Sequence, residues 1–87
     1  MFHRDEVCGI QADFLYDAGP ASCGELIMNI FVKMKPLETG QVMKVIAYDL
    51  GAVEDVPAWC RMQGHMLLHY EAKGLIETHF YIKKGEK

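Results

Sequence analysis

The sequence of 87 residues has no apolar segment that approaches the length of about 18 residues needed for a membrane-spanning helix. Residues 1–6 carry charged side chains where a secretory signal peptide would be apolar, so we expect no signal peptide. Cysteine occurs only as Cys8, Cys23 and Cys60, without a CxxC pair, which argues against a secreted disulfide framework. These absences together predict a reduced, cytoplasmic protein with no membrane association.

Basic clusters and the common catalytic motifs are also missing. Lysine and arginine are scattered at a net charge of -3, and only residues 83–87 are locally basic, so we expect no direct nucleic-acid partner. There is no glycine-rich phosphate loop, paired-carboxylate motif or Ser-His arrangement. His65 and His69 lie four residues apart, but Gly64 and a predicted strand remove the helical geometry that would bring them to one metal. We therefore predict neither a metal site nor a cofactor.

The length and the hydrophobic fraction of 51% are typical of one compact domain. Residues 1–11 have mixed charge and no clear period, so we predict a loosely structured leader there and a single domain over residues 12–87. Hydrophobic periodicity and turn residues predict four strands and two helices in that domain. In chain order they are a strand at 12–17, a helix from 23 that Pro36 ends, a strand at 41–49, a helix at 53–63, and strands at 66–71 and 77–84.

This order of elements predicts an α+β (α/β) two-layer sandwich of βαβαββ topology. One four-stranded mixed sheet would then carry both helices on a single face. Gly64 is predicted to cap the second helix, and Pro57 is tolerated near the first turn of that helix. In the last strand Thr78, Phe80 and Ile82 alternate with His79, Tyr81 and Lys83, so we expect one face to be buried and the other to be wet.

Cys23 is the candidate nucleophile because of its place at the head of the first helix. Residues 22–25 match the capping box, in which the Ser22 hydroxyl and the Glu25 carboxylate each accept a free backbone N–H. Cys23 then falls at the first helical position, beside Gly24, where free N–H groups and the helix dipole favour a negative sulfur. A dipole contribution of about 0.3–2 kcal/mol lowers a cysteine pKa by roughly 0.2–1.5 units, and the charge of Glu25 opposes it.

A persulfide fits this position better than a thiol does. The terminal sulfur of a persulfide is intrinsically more acidic, so the helix start would hold it as an anion without a general base. The sequence accordingly shows no Cys-His-Asp signature. The alternative interpretation is that Cys23 is simply a small residue at a helix start, since S-x-x-E caps are common.

The other two cysteines are given less weight. Cys60 lies on the predicted apolar face of the second helix beside Trp59, and a buried structural cysteine is the more common situation there. The alternative is that Cys60 is a second thiol that resolves Cys23. Cys8 lies in the predicted leader and is interpreted as incidental.

Several segments, taken in order, resemble the TusA/SirA-like sulfur-carrier family over about residues 12–85. Each motif is short, but their order and spacing together are fairly specific. The segments are Tyr16-Asp17-Ala18-Gly19 followed by Cys23, Lys33-Met34-Lys35-Pro36-Leu37, Val45-Ile46-Ala47-Tyr48-Asp49, Glu54-Asp55-Val56-Pro57-Ala58-Trp59-Cys60, Gly64-His65 and Phe80-Tyr81-Ile82-Lys83-Lys84.

The resemblance implies the βαβαββ sandwich and a role in sulfur relay, with the sulfur held on the residue that maps onto Cys23. It implies a protein donor, which is a cysteine desulfurase or a rhodanese-like or DsrE-like protein, and a protein acceptor. The acceptors of such carriers serve tRNA thiolation, molybdenum-cofactor enzymes or sulfur oxidation. Whether the chain is a persulfide-relay sulfurtransferase or a carrier without independent turnover is left open.

One departure from the family pattern bears on the site. The family motif is Cys-Pro-x-Pro, whereas this chain has Cys23, Gly24, Glu25 and Leu26. Gly24 adds about 0.5–1 kcal/mol of backbone freedom but supplies an N–H that proline lacks. We therefore hypothesise a looser site with one more hydrogen-bond donor to the sulfur. Two alternatives to a sulfur carrier remain, a non-catalytic interaction or regulatory module that kept the fold, and a thiol redox sensor.

Overall fold

The computed structural model describes residues 6–7, 10–19 and 23–85, and for residues 6, 7, 10 and 23 it describes the backbone alone. The elements, in chain order, are β1 (Glu6–Val7), β2 (Ile10–Gln11), β3 (Phe14–Asp17), α1 (Cys23–Met34), β4 (Val42–Tyr48), α2 (Ala52–Gln63), β5 (Met66–Ala72) and β6 (Glu77–Lys83).

The short strands β1 and β2 lie within the predicted leader. They pair antiparallel over two residue pairs, Glu6 with Gln11 and Val7 with Ile10. The segment therefore has some local strand structure, which its mixed charge did not predict. The division of the chain at residue 12 stays a prediction.

The other four strands form one mixed sheet in the order β3-β4-β6-β5. Strands β3 and β4 run parallel and are joined through α1, while β6 pairs antiparallel with both β4 and β5. The predicted βαβαββ sandwich is therefore confirmed. The parallel arrangement places the carboxyl ends of β3 and β4 at the same end of the sheet as the start of α1.

The core lies between the sheet and the two helices. Leu26, Ile30 and Met34 of α1, and Val56 and Cys60 of α2, are each at most 1% exposed. Both helices pack on the same face of the sheet, because these residues belong to one cluster with strand residues that share that face, namely Met43, Val45, Ala47, Phe80 and Ile82.

The face of the sheet opposite the helices is less exposed to solvent than the alternation in β6 predicts. Tyr81 is only 1% exposed although it lies on the face opposite Phe80 and Ile82, so the predicted division into one buried and one wet face fails at this residue. Two cross-strand neighbours cover its ring. Lys44 of β4 places Nζ 5.6 Å from the ring centroid, and the His69 ring of β5 lies at 6.1 Å. The stem of a lysine can cover an aromatic ring while its charge stays in water.

The ends of α2 follow the sequence signals. Gly64 has φ +79° and ends the helix as predicted, since this left-handed conformation is easiest for glycine. The N–H of His65 donates to the Cys60 carbonyl at 2.9 Å, which completes a Schellman motif. Pro57 is the sixth residue of α2, and its missing N–H leaves the Val53 carbonyl without the usual helical bond.

Candidate functional site

The candidate site is the start of α1, and the helix begins at Cys23 as the sequence predicts. The backbone N–H groups of the first turn have no intrahelical partner. Gly24 and Glu25, which follow in this turn, are exposed. Ser22, the predicted cap, and the side chain of Cys23 lie outside the described residues. The part of the prediction that concerns the helix start is therefore confirmed, and the roles of Ser22, Cys23, Gly24 and Glu25 stay predictions.

Open space surrounds residue 24. A Cβ atom added at Gly24 would meet no heavy atom within 4 Å, and the residue has ordinary helical backbone. No packing contact therefore requires glycine here. A Cβ atom would fit here, so the main differences between glycine and the proline of the family motif concern backbone freedom and the N–H group.

The chain that leads from β3 towards Cys23 is held to the sheet as far as Gly19. The N–H of Ala18 donates to the Ile46 carbonyl at 2.9 Å and extends the ladder beyond the end of β3. The Asp17 carboxylate then accepts the N–H of Gly19 at 3.0 Å. Gly19 has φ +63°, a conformation that glycine adopts without strain. The approach to the helix is thus fixed up to four residues before Cys23.

Helix α1 is anchored along its length and at its far end. Leu26, Ile30 and Met34 recur every four residues on the buried side. At the carboxyl end, Lys84 Nζ donates to the carbonyls of Met34 at 2.7 Å and Leu37 at 3.0 Å. A cation at this end satisfies free carbonyls and complements the helix dipole. The rigid body of the helix therefore determines where its first residue sits.

A recess of about 460 Å³ lies at the edge of the sheet where β3 and β4 end, and Asp17, Gly19, Tyr48 and Ile76 line it. Partial burial, the charges of Asp17 and Glu77, and hydrogen bonding to the nearby Asp17 carboxylate all raise the pKa of Tyr48. Tyr48 is therefore a hydrogen-bond donor at neutral pH.

Sequence reasoning did not select Asp17 or Tyr48 as site residues. A signal for Asp17 was available, because an aspartate two residues before a glycine is typical of an Asx turn. Tyr48 had no such signal. Its contact with Asp17 depends on the register of β3 against β4, which pairs Asp17 with Ile46, two residues before Tyr48.

Cys60 is a buried residue of the core, as the first interpretation of the sequence predicts. It is 1% exposed, and burial raises its pKa to about 11, although the charge of Arg61 acts in the opposite direction. A pKa near this value leaves about one thiolate in ten thousand molecules at pH 7. The alternative role of Cys60 as a second thiol stays a prediction.

His65 and His69 lie in different surroundings. His65 packs against Trp59 with ring centroids 5.2 Å apart, and its Nδ1 accepts the N–H of Gly85 at 2.9 Å. His69 lies beside Tyr81 on the other face of the sheet. Over residues 6–7, 10–19 and 23–85, no group of three or more His, Cys, Asp or Glu side chains is arranged to hold a metal ion. No helix in these ranges is both long and apolar enough to span a membrane.

Comparison with known proteins identifies the family to which this fold belongs. Residues 15–84 match the family described as sulfurtransferase TusA, so the match runs from within β3 to just beyond β6. The matched region contains α1, the turn that precedes it and the recess. It covers well over half of the chain.

Individual relatives agree with this match. The chain is 36% identical over 77 residues to the candidate sulfur carrier protein YrkF of Bacillus subtilis (strain 168), across 88% of this chain and 42% of YrkF. It is 37% identical over 76 residues to the candidate sulfur carrier protein YrkI of the same organism, across 87% of this chain and 100% of YrkI. Sulfur carrier protein TusA of Pseudomonas putida (strain W619) is 30% identical over 74 residues, across 85% of this chain and 92% of that protein. The chain thus spans less than half of YrkF but nearly all of the other two, and it belongs to the sulfurtransferase TusA family.

Proposed function

We propose that the protein is a sulfur carrier that holds a persulfide on Cys23 and relays the sulfur between protein partners. The observation that carries the proposal is that α1, inside the region matched to the TusA family, begins at Cys23. The free N–H groups of its first turn and the positive end of its dipole favour an anionic sulfur at this position.

Loading is a simple exchange between sulfur atoms. The Cys23 thiolate attacks the terminal sulfur of a persulfide on the donor, and a new S–S bond forms on Cys23. The S–S bond of the donor breaks, and its electron pair leaves with the donor cysteine as a thiolate. No external oxidant or reductant is consumed.

In unloading, the same kind of exchange passes the sulfur from Cys23 to the acceptor. A nucleophile of the acceptor attacks the terminal sulfur, and Cys23 leaves as a thiolate that the helix start stabilises. Because the helix start stabilises the Cys23 thiolate, which is the nucleophile in loading and the leaving group in unloading, neither step requires a general base on this chain. The protein then acts as a carrier, and turnover depends on its partners.

The donor in this proposal is a cysteine desulfurase or a rhodanese-like or DsrE-like protein, and the acceptor is a second protein. The exposed first turn of α1 supports an exchange between proteins, because Gly24 and Glu25 leave room for a second chain to approach. The absence of both motif prolines favours the alternative, a non-catalytic interaction module that kept the fold.

One loading experiment separates these functions. The protein is incubated with a cysteine desulfurase and L-cysteine, and its intact mass is then measured. We expect a gain of one sulfur atom, which cyanide removes as thiocyanate, and we expect Cys23→Ser to abolish the gain. Cys8→Ser is the matched control and should load normally.

The other outcomes each contradict the proposal. An unmodified wild-type protein would favour the interaction module. A mass gain that persists in Cys23→Ser would show that another residue holds the sulfur. A loss of two hydrogen atoms under mild oxidant, without sulfur gain, would favour the redox sensor.

A further inference from the structure

The position of Cys23 depends on the turn that connects it to β3. Only residues 20–22 separate Gly19, which is fixed, from the first residue of α1. Asp17 fixes Gly19 because its Oδ1 accepts the Gly19 N–H at 3.0 Å. The Asp17 side chain can do this only in the rotamer that points back over its own backbone.

Tyr48 is the neighbour that can restrain the Asp17 side chain from the adjacent strand. Asp17 pairs with Ile46 in the parallel ladder, so Tyr48, two residues further along β4, lies on the same face at the next diagonal position. The Asp17 carboxylate is the acceptor nearest to this position, and its charge and hydrogen bonding raise the pKa of Tyr48. Glu77 of β6 pairs with Tyr48 from the other side. With a carboxylate on either side, the phenol keeps its proton at neutral pH and can donate a hydrogen bond to Asp17.

We infer that Asp17 and Tyr48 are positioning residues for sulfur transfer, which act through the turn at residues 17–19 on the first residue of α1. The inference rests on the proposed function of Cys23. The two residues come from different strands, and both line the recess at the edge of the sheet beside this turn. Neither is required to touch the sulfur.

Two substitutions of Asp17 distinguish the effect of its hydrogen bonds from the effect of its charge. In Asp17→Asn the side-chain oxygen still accepts the Gly19 N–H, and the amide group can bond Tyr48, but the charge is gone. Asp17→Ala removes the charge and both bonds. If Asp17 acted only through its charge, both variants would lower the pKa of Cys23, because a nearby negative charge disfavours a thiolate.

Positioning predicts a different pattern. Asp17→Ala should raise the midpoint of the pH profile of Cys23 alkylation by about 0.2–1 pH unit, because the helix start no longer faces the sulfur correctly. Its rate of sulfur loading should fall about five- to tenfold, which corresponds to one lost hydrogen bond of about 1–1.4 kcal/mol. Asp17→Asn should restore both values to near wild type.

If Asp17→Ala does not fold, Tyr48→Phe tests the inference instead, since this substitution removes only one oxygen atom. We expect its loading rate to fall about two- to fivefold and its alkylation midpoint to move upward. Tyr70→Phe is the matched control, because Tyr70 is an exposed tyrosine on β5 whose ring packs against Phe80 on the other face of the sheet. It should leave both readouts unchanged.

The measurement is iodoacetamide labelling of Cys23 from pH 6 to 10, read by peptide mass, together with the loading assay. Equal rates in Tyr48→Phe and Tyr70→Phe would overturn the inference, as would a lower midpoint in both Asp17 variants. Labelling does not depend on sulfur transfer. If the wild type fails to load but Tyr48→Phe still labels more slowly, the proposed function fails and the positioning role stands.

Discussion

Residue 24 affects how much freedom the helix start has and how many free N–H groups the first turn of α1 offers. Glycine at the second position of α1 has neither a packing neighbour nor a left-handed backbone, so no contact in the structure requires it. Its free N–H belongs to the first turn, where proline would remove a donor without breaking an intrahelical bond. We therefore expect residue 24 to affect the stability of the protein and the pKa of Cys23 independently.

Gly24→Pro tests this separation. We expect the free energy of unfolding to rise by about 0.4–1 kcal/mol, because the unfolded chain loses conformational freedom. We also expect the pKa of Cys23 to rise, because the sulfur anion loses a donor. Urea denaturation and the pH profile of Cys23 alkylation measure the two effects.

Gly24→Ala is the matched control for this substitution. Alanine restricts the backbone but keeps the N–H, so it should stabilise the protein and leave the pKa of Cys23 unchanged. If the pKa stays the same or falls in Gly24→Pro, the idea of an additional donor is wrong.

At the scale of elements, the end of α2 and the residues after β6 meet at His65. Its Nδ1 accepts the N–H of Gly85, and burial together with the charge of Lys84 lowers its pKa below the usual value for histidine. The hydrogen bond requires the neutral ring, because protonated histidine has no acceptor nitrogen. The contact between these elements is therefore sensitive to pH.

We expect stability to fall as the pH drops from about 7 towards 5. The unfolded chain takes up a proton on His65 at a higher pH than the folded protein does, so acid favours the unfolded state. Above the ordinary histidine pKa of about 6.5, the contribution is fully present. Urea denaturation at a series of pH values measures it.

The control for this prediction is His65→Asn. The asparagine oxygen can accept the Gly85 N–H but does not titrate, so this variant should lose less stability than wild type over the same pH range. An identical pH dependence in the two proteins would show that other groups, such as the exposed carboxylates, cause the effect.

The element boundaries were largely predictable, because local signals determine them. Pro36, Gly40 and Gly64 interrupt the periodic segments, and the helices and strands end within a few residues of these positions. The start of α1 was predicted from residues 22–25 alone. The short β1 and β2 pair was missed, because two-residue strands have no period that a sequence can show.

At the scale of the whole molecule, the features that escaped prediction depend on cross-strand register. Tyr81 is buried because Lys44 and His69 lie beside it on neighbouring strands. The Asp17 and Tyr48 pair likewise exists only when β3 and β4 align as they do. Hydrophobic alternation assigns a residue to a face, but it cannot say which neighbours cover that residue.

The burial of Cys60 in the core predicts a slow reaction with thiol reagents. It is buried between α2 and the rest of the core, so a thiol reagent should reach it only when the domain opens. In Cys8→Ser/Cys23→Ser protein, we expect labelling at least about a thousandfold slower than in urea, given the usual stability of small domains. Mass spectrometry over time gives the rate. Labelling as fast as that of an unfolded chain would mean that the core is not closed around this sulfur.

The hydrogen bonds from Lys84 Nζ to the carbonyls of Met34 and Leu37 link the residue after the last strand to the helix that starts at Cys23. During synthesis, residue 84 emerges long after residue 23, so the helix lacks this anchor until the final strand has paired. An incompletely folded chain therefore carries Cys23 on a helix whose carboxyl end is not yet anchored.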